Sequence, residues 1–105
     1  MSAFEDREKG FERKLALDEE LEFRAQSRAA HMLGAWAANK MGLESVDDYV
    51  RAVVRAELGS GGEEDVVRKV IQDLAGSGME ARETEVRSKL DEFLAIAREQ
   101  VKAGE

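Results

Sequence analysis

Asp18-Glu19-Glu20 and Glu63-Glu64-Asp65 are two carboxylate runs in this 105-residue chain, and the first chemistry they suggest is a hard-cation site. The spacing argues against it. Adjacent residues on a helix diverge by about 100°, and no calcium-loop pattern accompanies either run. Both are expected to be acidic helix starts and solvated faces. Gly59-Ser60-Gly61-Gly62 suggests a phosphate loop. It lacks the Walker lysine, and the three acids that follow would repel phosphate, so a flexible connection is expected. His31 is the single histidine. With no second histidine and no cysteine it has no partner for a transition-metal site or a proton relay, and a structural or surface role is expected. The absence of cysteine also excludes disulfides, thiolate zinc sites and cysteine nucleophiles. No nucleophile–base or metal constellation is visible, so the chain is not expected to be an enzyme.

Charge narrows the partners. Sixteen basic residues stand against 23 acidic ones, a formal net charge of −7. Nucleic-acid binding requires clustered positive charge, so that class is set aside. No apolar run approaches the roughly 18–20 residues that span a bilayer. The opening Met1-Ser2-Ala3-Phe4-Glu5-Asp6-Arg7 is too charged for a secretory signal, and a cytoplasmic location is expected.

The elements that must position any site are helical. Proline is absent, which removes the commonest helix breaker, and glycines punctuate instead at Gly42, in 59–62 and in 76–78. Four segments fall between them. Leu17, Leu21, Ala25, Ala29, Met32, Leu33, Trp36 and Ala37 recur at three- and four-residue steps. They form one face, about 36 Å long if the helix runs from Leu17 to Lys40, with Gly42 as a left-handed cap. Trp36 is expected to be the largest contributor to packing. Ser45 is the expected N-cap of a second helix with an apolar face of Val46, Tyr49, Val50, Val53, Val54 and Leu58. A third opens at Glu63 and buries Val66, Val67, Val70, Ile71 and Leu74 before Gly76. A fourth starts near Glu83 or Thr84 and shows Val86, Leu90, Phe93, Leu94, Ala97 and Val101. Acid-before-base pairs four apart (Asp47/Arg51, Glu64/Arg68, Asp65/Lys69, Glu83/Arg87, Glu85/Lys89) support these helices by roughly 0.2–0.5 kcal/mol each. The later helices are too short to stand alone and are expected to close a four-helix bundle around the long first one, over residues 17–105.

Residues 1–16 do not continue that stripe. Phe4, Phe11 and Leu15 are helically spaced, but the same face carried forward meets Asp18 and Glu22. Glu5, Asp6, Glu8 and Glu12 balance Arg7, Lys9, Arg13 and Lys14, so the whole excess of −7 belongs to the remainder. A neutral segment is not drawn to anionic lipid. It is either a frayed terminus or an arm, flexible or helical, that docks in a partner's groove on Phe4 and Phe11. Ordering about 14 backbone residues costs on the order of 14–28 kcal/mol, whereas two buried phenylalanines return about 3–6 kcal/mol. A partner must therefore enclose the segment on several sides, or the segment must already be partly helical.

The stretches Phe4-Glu5-Asp6-Arg7-Glu8-Lys9-Gly10-Phe11-Glu12, Asp18-Glu19-Glu20-Leu21 and Leu33-Gly34-Ala35-Trp36-Ala37-Ala38, with Glu64 to Val70 and Val86 to Leu94, resemble the ATPase inhibitor zeta subunit family of alphaproteobacteria. The resemblance covers nearly the whole chain. It implies a four-helix bundle with an N-terminal inhibitory arm. That arm would enter the catalytic head of the F-type ATP synthase between alpha and beta subunits beside gamma, and block hydrolysis more than synthesis. The implied contacts are Phe4, Phe11 and Leu15 in apolar sites, Arg7, Lys9, Arg13 and Lys14 on acidic groups, and Glu5, Asp6, Glu8 and Glu12 on basic ones. No cofactor is implied beyond weak adenine-nucleotide binding on the bundle, for which no residues are assigned, and the location would be peripheral to the inner membrane. The chain departs from the family pattern at Gly10, where alanine is common, at Leu15, where an aromatic is common, and in having few basic residues around Ala29, Ala30 and His31. The alternative reading is a non-catalytic helical adaptor whose arm binds another protein cleft.

Overall fold

Gly42 decides where the first helix ends. Its φ of +68° is a backbone conformation that side chains resist. Its N–H donates to the Asn39 carbonyl (3.2 Å) and that of Leu43 to Ala38 (3.1 Å), which closes the helix with a reversal of the chain. The computed structural model describes the backbone from Ala3 to Glu105, and side chains from Asp18 onward. Four helices result: α1 Ala3–Met41, α2 Val46–Glu57, α3 Glu63–Gly76 and α4 Glu83–Lys102. There is no strand among the described residues, and the fold is an all-α four-helix bundle.

Local signals account for the boundaries. The Ser45 side chain accepts from the Asp48 N–H at 3.3 Å, as an N-cap should, and Asp47 and Asp48 sit in the first turn of α2. The third helix runs through Gly76, and the reversal comes two residues later at Gly78, where Met79 N–H bonds back to Leu74. The 59–62 connection is a hydrogen-bonded turn: Gly62 N–H reaches Gly59, and the Asp65 carboxylate accepts from Gly61 N–H at 3.1 Å. A Cβ at Gly61 would collide with that carboxylate.

Helix α1 is the hub. It packs against all three others, α3 bridges α2 and α4, and α2 and α4 do not meet among the described residues. Contact on several sides buries more of α1 than one stripe. Ala25, Ala29, Leu33 and Ala37 form one row at steps of four, and Ala30, Gly34 and Ala38 form a second beside it. The second row lets α2 approach closely: a Cβ at Gly34 would lie 3.2 Å from Val50 Cα and 3.3 Å from Val53 Cβ. Opposite these small residues stand the buried Val50, Val53, Val66, Val67, Val70, Leu74, Val86, Leu90 and Val101.

Three expectations need correction. Trp36 and Met32 are only partly buried and flank the core, where Lys40 covers the Trp36 ring at 5.0 Å. Leu33 and Leu74 are the large buried side chains instead. Leu58 follows the C-terminal end of α2 and is 59% exposed. Of the five acid-before-base pairs, Glu83–Arg87 forms at 2.9 Å. Arg51 turns to Asp48, Lys69 to Asp73 (3.1 Å) and Lys89 to Glu92 (3.4 Å), while Arg68 lies 3.7 Å from Asp65. Glu64 and Glu85 instead tie helices together, through Arg87 (2.8 Å) and Lys40 (2.8 Å).

These tertiary pairs and the Glu22–Arg98 bridge (2.6 Å) leave a pH signature. Hydrogen bonds from Arg98, Arg87 and Lys40, with their charges, hold Glu22, Glu64 and Glu85 below the usual carboxylate range. A carboxyl with a depressed folded-state pKa stabilises the fold above its unfolded value, about 4.5 here, and that contribution is lost as pH falls through the folded value. The urea midpoint is expected to decline from about pH 5 to about pH 3; a Glu22→Gln/Glu64→Gln variant should decline less steeply, and an identical slope would contradict the assignment. At the α1–α2 contact, Gly34→Val should lower stability by about 2 kcal/mol in urea denaturation, because the facing backbone of Val50 cannot rotate away.

Candidate functional site

The residues expected to contact a partner (Phe4, Glu5, Asp6, Arg7, Glu8, Lys9, Phe11, Glu12, Arg13, Lys14 and Leu15) all belong to the helical backbone of α1. Their side chains, and that of Leu17, lie outside the described residues. Gly10 is within the same helix, and α1 has no break near residue 16. The 39-residue element is about 58 Å long at 1.5 Å rise per residue, well beyond the 20 residues of α4.

Where α1 leaves the bundle is visible in its burial. Asp18, Glu19 and Glu20 are all exposed, so nearly a full turn of the helix has no face in the core. Arg24 bonds back to Glu20 at 2.6 Å along the surface. Among the described residues Leu21 is the first apolar side chain packed against the core, and Ala25 the first fully buried one. Between them Glu22 takes two hydrogen bonds from the Arg98 guanidinium of α4, at 2.6 and 3.1 Å. The stripe through positions 4, 11, 15 and 22 is therefore on the α4 side of the helix at Glu22. At that point the α4 side of the helix carries a charged clasp.

The other sequence candidates are accounted for locally. Among the described residues no group of three His, Asp or Glu could hold a metal ion. Glu64 is bound bidentately by Arg87, and Asp65 closes the 59–62 turn. His31 is exposed beside a shallow groove formed with Val50, Val54 and Leu58 of the α2 region. The Tyr49 hydroxyl donates to Asp73 at 2.8 Å with Lys69 over its ring, a link between α2 and α3; burial, then the Asp73 carboxylate, pushes the phenol far up. No described helix is long and apolar enough to cross a membrane.

One feature lay beyond sequence reasoning. Glu57, the last residue of α2, has a buried Oε2 with no protein donor among the described residues, and burial pushes its carboxyl up. It borders a cavity of about 190 Å³ between the helices. In the sequence it is one more acid at the end of an amphipathic helix.

Four helices without a strand among the described residues fit the expected all-α four-helix bundle. No curated protein matches the chain. The family model described as ATPase inhibitor subunit zeta matches residues 1–100, taking in the extension as well as the bundle. The chain belongs to the ATPase inhibitor subunit zeta family.

Proposed function

We propose that this protein inhibits ATP hydrolysis by the F-type ATP synthase, with the N-terminal part of α1 as a wedge in the catalytic interface of alpha, beta and gamma subunits. The observation that supports the reading is the exposure of Asp18, Glu19 and Glu20 inside a helix whose backbone continues to Ala3. The helical stretch N-terminal to that point is where a partner would be met in this reading. The family match supports the kind of partner, since it names an ATPase inhibitor subunit and extends to residue 1.

Physical reasoning sets the form of the contact. The helical backbone from Ala3 removes much of the ordering cost that would otherwise exceed what two phenylalanines return. Phe4, Phe11 and Leu15 fill apolar sites in an enclosing cleft. Arg7, Lys9, Arg13 and Lys14 pair with acidic groups there, and Glu5, Asp6, Glu8 and Glu12 with basic ones. The segment is neutral, so specificity comes from the pattern of paired charges and from shape. A wedge in a closing interface stops rotation in the hydrolytic sense, whereas rotation in the other sense opens the interface and expels it. The role is regulatory and non-catalytic, exercised in the cytoplasm at the membrane-bound synthase.

Deleting residues 1–16 is expected to leave the circular dichroism and the unfolding midpoint of the bundle essentially unchanged. The same deletion should abolish inhibition of ATP hydrolysis by the isolated catalytic head at every concentration tried. A Phe4→Ala/Phe11→Ala variant should raise the half-inhibitory concentration about a hundredfold or more. Full inhibition by the truncated protein refutes the wedge; binding of the intact chain without loss of turnover favours the adaptor reading.

A further inference from the structure

The cavity beside Glu57 is a half-open pocket on the flank of the bundle, bordered by the exposed Gln26 and Glu63 as well as by core residues. Its apolar walls are Ala29 and Ala30 of α1, Val66 of α3, and Leu90 and Leu94 of α4. Ala29, Ala30 and Val66 are almost completely buried, so this wall belongs to the core itself. The small α1 side chains leave the space open. At about 190 Å³ it is somewhat larger than an apolar cavity of about 150 Å³ that accommodates benzene.

Its polar lining among the described residues is Gln26, Glu57 and Glu63, with no described lysine or arginine. The Glu57 Oε2 is buried without a protein donor among the described residues. Such an oxygen loses its hydration without compensation, at a cost that a donor brought by a ligand would offset. Arg98 feels the charge of Glu63 but is held by both hydrogen bonds to Glu22. An occupant must therefore present an apolar body to the alanine–leucine walls and a cationic hydrogen-bond donor to Glu57. An anion or a phosphate ester would meet two carboxylates and is excluded by charge.

We infer that this cavity is a binding site for a small organic ammonium ion, with an apolar stem of benzyl size against Ala29, Ala30 and Leu90 and its –NH3+ group on Glu57. Burial pushes the Glu57 carboxyl up in the unliganded protein; an ammonium ion in contact would draw it down again, so charge and hydrogen bonding favour the same guest.

Titration of the full-length 15N-labelled protein with benzylammonium chloride, at constant ionic strength, tests the site. Saturable shifts are expected for the amides of Ala30, Gly62, Val66 and Leu90. Benzyl alcohol, with the same ring and a neutral head, should bind about tenfold to a hundredfold more weakly, the range of one charge-assisted hydrogen bond. Glu57→Gln should abolish most of that preference, while Glu44→Gln, at a distant exposed acid, should preserve it. Equal affinity for amine and alcohol overturns the inference. So do shifts that spread without saturation over exposed acids such as Glu19 and Glu20, or a preference undiminished in Glu57→Gln. The comparison of amine with alcohol on the unmodified chain decides the matter even if the Glu57 variant does not fold.

Discussion

The close approach of α2 to α1 at Gly34 sets the geometry of the whole bundle. Helices normally lie 8–10 Å apart, the spacing fixed by the side chains at the crossing. Here the buried positions of α1 among the described residues are alanine or glycine with one exception, Leu33, and bulk is supplied from the other helices by Val50, Val53, Val66, Val70, Leu74 and Val86. Small residues on the hub and large ones around it let one helix serve several neighbours without overpacking. A hub built of leucines would push its neighbours outward and leave gaps between them. The cavity beside Glu57 belongs to the same arrangement, since alanine at positions 29 and 30 leaves space where Leu90 and Leu94 do not fully close it.

A hub that touches every neighbour also has to be longer than they are if it is to do anything else. Helix propagation adds a hydrogen bond for each residue fixed, so a helix anchored in a core extends beyond it at far lower cost than an isolated helix can start. The bundle supplies that anchor from Leu21 to Met41. At Asp18, Glu19 and Glu20 the helix runs through an exposed turn, with Arg24 paired to Glu20 along its surface. The Glu22–Arg98 clasp sits at that transition. Structure and proposed function thus occupy successive stretches of one element, and the division between them is marked by side-chain polarity rather than by a hinge.

Element boundaries could be read from the chain because their signals are local. Gly42 and Ser45 act through their own backbone and side-chain geometry, and each does what its residue type requires. The partition of α1 was harder to read. Alanine is equally at home inside and outside, so Ala30 and Ala38 gave no sign of being buried, and a single-stripe reading missed the second row that contact with several neighbours creates. The same reading overrated Trp36, whose size suggests the core although it lies at the margin beneath Lys40. Ion pairs were misjudged for a related reason. Sequence spacing offers Arg68 to Glu64, but packing brings Arg87 of α4 close enough to take Glu64 with two hydrogen bonds. Glu57 could not have been found at all, because its environment depends on how residues of the other three helices gather around the cavity it borders. For the arm, spacing and charge balance suggested a docking segment; the family resemblance alone supplied the name of the partner.

Electrostatics adds a constraint on how such an arm can work. Residues 1–14 carry four acidic and four basic side chains, so the formal charge of −7 sits on the bundle. The charge of the body does not steer a neutral arm over distance, since at physiological salt its field fades within about 8 Å. Association therefore gains little from long-range attraction. The interaction must be won at contact, where apolar residues leave water and the alternating charges find individual partners. Pairs of that kind favour one register of the helix over its neighbours, since a slip along the cleft places like charges opposite one another. Charge alternation would then fix how deeply the helix enters, and the apolar residues how tightly it is held.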